Sequence, residues 1–136
     1  MALVVPNSAE DIMLQNILNI TAPQTPILRL YTNNFTPGEF DVEGDYNEAS
    51  GFGYASVSLT PGSWTILEDS VGGPTLASYP QITFTFTGNL GNVYGYFVTQ
   101  SDSVGALMWA ERFSDGPYNI VNNGDQVKVS VRITLE

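Results

Sequence analysis

At 136 residues, with 43% hydrophobic and 12% aromatic side chains, the chain is the size of one domain and holds enough apolar material for a core, which excludes disorder throughout. Fourteen acidic residues against four basic ones give a net charge of −10, and the cations Arg29, Arg112, Lys128 and Arg132 are scattered. Nucleic acid and anionic membrane surfaces are therefore excluded as partners, because both demand a basic stripe. Cysteine and histidine are absent, which removes disulfides, thiolate and imidazole metal ligands, and every histidine-based catalytic triad. Charged residues make up only 13%, so the surface is largely uncharged polar, a composition suited to a protein packed against neighbours.

The apolar opening Met1-Ala2-Leu3-Val4-Val5-Pro6 is too short for a signal peptide and lacks its basic region. The expectation is a chain that starts near Met1 and folds in a cytoplasm. One helix follows. Ser8 and Asp11 stand at capping-box spacing, Glu10 and Asp11 fall in the first turn, and Met13, Leu14, Ile17 and Leu18 share one face. Two or three turns need a docking partner. That partner is either the chain's own domain or a neighbouring subunit.

Beyond Pro23 and Pro26 the hydrophobic period becomes two. Residues 27–31 predict a strand, residues 54–59 a second, and residues 63–67 a third that forms a hairpin with it across Pro61-Gly62. Ile82, Phe84 and Phe86 alternate with Thr83, Thr85 and Thr87, giving one dry face. Residues 93–99 predict a strand with Tyr94 and Tyr96 on one face and Val93 and Phe97 on the other. Residues 106–113 predict a mostly buried strand, and Val127, Val129, Val131, Ile133 and Leu135 mark a long final one. Strands separated by turns, with no helices between them, predict an all-β fold: an antiparallel β-sandwich of jelly-roll type with one short N-terminal helix. Residues 1–25 form the arm and helix, and residues 26–136 the sandwich.

Three constellations bear on chemistry. The loop 36–53 carries Glu39, Asp41, Glu43, Asp45 and Glu48, but Tyr46 stands where a calcium loop of EF-hand type needs Gly. A solvated acidic loop, or one facing a basic partner, is the expectation, with no metal. Glu111 follows an apolar run and is the first carboxylate to weigh for hydrolysis. A salt bridge made by Glu111 or Arg112 at a strand end accounts for it more simply, so no catalytic residue is assigned. Trp64, Trp109, Tyr94, Tyr96 and Tyr118 either build a sugar-stacking platform or fill the core and pair across strands. No phosphate loop and no cofactor motif occurs.

Several segments resemble those of small virion proteins of tailed bacteriophages, chiefly environmental and cyanobacterial ones. They are Met1-Ala2-Leu3-Val4-Val5-Pro6-Asn7, Leu28-Arg29-Leu30-Tyr31-Thr32-Asn33-Asn34-Phe35-Thr36-Pro37, Asn92-Val93-Tyr94-Gly95-Tyr96-Phe97-Val98 and Leu107-Met108-Trp109-Ala110-Glu111-Arg112-Phe113. The resemblance implies a capsid decoration, or cement, protein: a dimer or trimer on the capsid surface that binds the major capsid protein and is made in the host cytoplasm. In that role Leu3, Val4 and Val5 of the arm, and Leu14, Ile17 and Leu18 of the helix, are the expected contacts. A tail-fibre, baseplate or carbohydrate-binding module using Tyr94 and Tyr96 is the alternative, and a hydrolase around Glu111 ranks last.

Overall fold

The computed structural model describes residues 3–68, 73–101 and 105–135. It is an all-β fold with one short helix, and every strand pairing is antiparallel. Helix α1 spans Asn7–Ile17. The strands are β1 (Ile27–Tyr31), β2 (Val57–Ser58), β3 (Thr65–Glu68), β4 (Thr75–Ser78), β5 (Ile82–Thr85), β6 (Gly91–Val93), β7 (Gly95–Thr99), β8 (Leu107–Arg112), β9 (Tyr118–Ile120), β10 (Gln126–Val129) and β11 (Arg132–Leu135). They form sheets in the orders β2-β1-β7-β8, β11-β4-β3, β10-β5 and β6-β9.

The main core lies between layers. Leu28, Leu30, Tyr96 and Val98 of the four-stranded sheet pack against Phe84, Phe86, Val127, Val129 and Val131. The alternation seen in the sequence sets this directly: Phe84 is buried while Thr83 and Thr85 are exposed, and Val127 and Val129 are buried while Lys128 is exposed. A second cluster on the far face of the four-stranded sheet joins Tyr31, Tyr46, Phe97, Leu107 and Ala110. Both faces of β7 are thereby covered, and all five of its residues are buried.

Three local expectations are corrected. Residues 54–59 and 63–67 do not form a hairpin, because a 3-10 turn at Pro61–Ser63 sends the chain into another sheet. There β3 pairs with β4, while β2 pairs with β1. The span 93–99 is two strands broken at Tyr94, whose N–H donates to the Tyr31 carbonyl (3.0 Å) and whose carbonyl accepts from Phe113 N–H (2.9 Å). Tyr94 and Tyr96 consequently point to opposite faces, Tyr94 to the second cluster and Tyr96 into the main core. Finally, Ser8 does not cap α1. Pro6 occupies the N-cap without a side-chain bond, and the Asn7 N–H donates to the Glu39 carbonyl at 3.0 Å.

The helix stops as its sequence allows. Asn19 takes a positive φ of 57°, a conformation Asn tolerates, and its N–H donates to the Asn16 carbonyl at 3.1 Å. Ile20 N–H reaches the Gln15 carbonyl at 2.9 Å, completing a Schellman close.

Candidate docking surface

Of the carboxylates singled out in the sequence, Glu111, Asp41, Asp45 and Glu48 are committed to structure. Neither Glu111 nor Arg112 makes a salt bridge with a described residue. Glu111 Oε2 accepts from the Tyr96 hydroxyl at 2.7 Å. Arg112 instead donates to the Phe35 carbonyl (2.9 Å) and to Asn34 Oδ1 (2.8 Å), and lies 5.1 Å above the Tyr94 ring. Burial first, then the bond to Glu111, raises the Tyr96 hydroxyl far above its ordinary pKa.

In the acidic loop, Asp41 Oδ2 accepts from Gly38 N–H and from the Tyr46 hydroxyl, both at 2.7 Å. Asp45 Oδ2 accepts from Val42 N–H at 2.9 Å. Glu48 accepts from Arg29 at 2.8 Å and from the Tyr54 hydroxyl at 2.9 Å. The loop is pinned by Tyr46, whose ring stacks on Phe97 at 5.1 Å and meets Tyr31 and Phe35 edge-on. The residue that breaks the calcium pattern is thus the anchor of the loop. Among the described residues no three ligating side chains come together as a metal site.

A tyrosine platform is not presented. Tyr96 is 2% exposed, Tyr94 lies under Arg112, and the two face opposite ways. Trp109 is buried in the main core, and Trp64 packs half-buried against it, edge-on to Tyr79.

The predicted arm is docked at home. Met1 and Ala2 lie outside the described residues. Val4 forms an antiparallel bridge with Ala110, with N–H···O distances of 2.8 and 2.9 Å, so it extends the edge of the four-stranded sheet beside β8. Leu3 and Val5 are half-buried against the main core. These three residues are therefore internal contacts.

The helix behaves differently. Ala9, Ile12 and Met13 turn inward, with Ala9 fully buried and the other two packed on the core. Leu14, Ile17 and Leu18 turn outward, at 59%, 79% and 67% exposure. Both sets obey helical spacing, and Met13 and Leu14 are neighbours about 100° apart on the wheel, so periodicity alone does not say which stripe is inside. Ile20, beyond the helix end, is exposed as well.

Beside this stripe runs a groove of about 660 Å³ that sequence reasoning missed. Its walls are Leu3, Val5, Met13 and Leu14 on one side and strand β11 on the other, with Glu10 and Arg132 among its lining. Leu135 stands at its rim, 73% exposed. The signal available in sequence was the apolar alternation of Ile133 and Leu135 running on past the core strand β10. A separate exposed pair, Phe40 and Val42, projects from the acidic loop near the start of α1. Contiguous exposed apolar surface of this kind marks sites of association.

No protein-family model matches the chain, and no characterised protein or solved structure matches it either.

Proposed function

We propose that this protein is a structural attachment module: it decorates a phage capsid by seating the outer stripe of α1 on the shell of major capsid protein. The observation that carries the reading is the solvent-facing row of Leu14, Ile17 and Leu18 at the end of a helix already anchored by its other stripe. An apolar row presented on a fixed helix meets a groove without paying for folding at the moment of contact. The resemblance of four sequence segments to small virion proteins supplies the choice of shell as partner. The acidic surface suits a basic rim around that groove. Repetition over a particle turns modest single contacts into high occupancy.

Two revisions follow from the geometry. Contact is assigned to Ile17 and Leu18, with Leu14 at the border of the stripe, and no longer to Leu3, Val4 and Val5. The hydrolase and sugar-platform readings lose their central residues, because Glu111 and Tyr96 satisfy each other inside the fold.

Imaging of particles from the phage whose genome encodes this chain tests the reading. Density for the fold should lie at regular positions on the shell, with the C-terminal half of α1 against it. Density confined to the tail, or an α1 facing away from the shell, would refute it.

A further inference from the structure

Among the described residues the outer edge of β11 has no partner: in the sheet β11-β4-β3 it pairs there only with β4. The bond from Tyr79 N–H to the Val131 carbonyl, 3.1 Å, sets the phase of the ladder. Antiparallel bonding alternates, so Val131, Ile133 and Leu135 bond toward β4, while Arg132 and Thr134 aim their N–H and C=O groups outward into the groove. Neither a proline nor a bulge blocks this edge, which are the usual defences of an unpaired strand.

We infer that the groove is filled by the β11 strand of a second copy of this chain, paired antiparallel across a twofold axis at Thr134. An antiparallel pair sets outward residues opposite outward residues, which leaves few registers. A centre at Ile133 puts Arg132 opposite Thr134, and a centre at Arg132 opposes two guanidinium groups. The centre at Thr134 lets the two Thr134 residues exchange both hydrogen bonds and sets Ile133 across from Leu135 of the copy.

Charge selects the same partner. Two of the four cations, Arg29 and Arg112, are engaged inside the fold. Arg132 makes no ion pair with any described residue, although Glu10 lines the same groove. The groove thus carries one base with no ion-pair partner among the described residues and one acid, and a twofold copy presents the complement of each. The exposed side chain of Leu135 and the groove face of Leu14 are covered in the same step. Self-pairing at β11 is independent of what α1 attaches to, and leaves Ile17 and Leu18 free.

Sedimentation equilibrium of the full chain tests this. The expected species has twice the 14.8 kDa mass of one chain. Thr134→Pro removes an outward N–H while sparing the bonds to β4, so it should sediment as a folded single chain. The chain has no native cysteine, so Thr134→Cys gives a second reading should the proline variant fail to fold. Paired strands bring those Cα atoms to about 5.5 Å, within disulfide reach. Thr134→Cys should therefore cross-link about tenfold or more faster than Asn123→Cys in the exposed 122–125 turn, because the pairing raises the local thiol concentration. A single chain at millimolar loading, a ring of three or more copies, a Thr134→Pro dimer, or equal cross-linking of the two cysteine variants would each overturn the inference.

Discussion

Gly95 opens β7 at a point where three elements converge. A Cβ built there would collide with the Glu111 carbonyl oxygen and lie 2.6 Å from the Tyr31 hydroxyl. Backbone cannot yield as a flexible side chain can. Gly95→Ala is therefore expected to cost about 3 kcal/mol or more, at the upper end of overpacking effects, and a denaturant titration reads it. Next to it, the Tyr96–Glu111 bond joins a buried phenol to a carboxylate. Tyr96→Phe leaves the ring in place and removes only that bond, so a loss of about 2 kcal/mol is expected. A surface role for Tyr96 would leave stability unchanged. Asp125 holds the turn before β10, accepting from the backbone N–H groups of Asn122 and Val121, each at 2.9 Å. Those bonds hold its carboxyl below the usual value. A depressed carboxylate contributes stability above its unfolded pKa and loses it as pH falls through the folded one. The stability gap between the native chain and Asp125→Ala should thus be full at neutral pH and close in acid.

At the scale of elements, the arm and the helix exchange the roles that the sequence suggests for them. Val4 is a one-residue addition to a sheet edge, and removing residues 1–6 should cost about 2–4 kcal/mol through two backbone bonds and the half-buried Leu3 and Val5. A truncated chain as stable as the native one would show the arm to be free. The strands with strict alternation, around Phe84 and around Val127 and Val129, were legible because one face is wet and the other dry. The break at Tyr94 was not. Its cause is tertiary: both faces of β7 are covered, so the run from Gly95 to Thr99 carries no polar face to mark its register. The same holds for β2, which pairs with the distant β1, Ile27 opposite Ser58, and so leaves β3 to pair with the strand that follows it, β4, Glu68 opposite Thr75. The candidate docking stripe was half legible, since the helix and its apolar residues stand in the sequence while the direction each one faces is fixed only by packing.

For the whole molecule, Tyr31, Tyr46, Tyr54 and Tyr96 bind the layers together, and burial raises the pKa of each, that of Tyr31 from 10.0 to about 12. A raised group gives stability that is complete below its unfolded pKa and is lost as pH climbs toward the folded one. Unfolding in alkali should begin above the ordinary tyrosine value, and ionisation of these four phenols, followed by ultraviolet absorbance, should coincide with loss of sheet structure. Ionisation of all tyrosines near pH 10 in a still-folded chain would contradict this. The molecule otherwise presents a rigid, acidic β body with one apolar helix stripe facing solvent, and its proposed work is adhesion through that stripe. Cosedimentation with shells assembled from the major capsid protein of the same genome addresses this most directly. The native chain should bind in a fixed ratio to shell subunits, whereas Ile17→Glu/Leu18→Glu, folded and equally stable, should remain in the supernatant. Full binding by that double variant, or none by the native chain, would contradict the account.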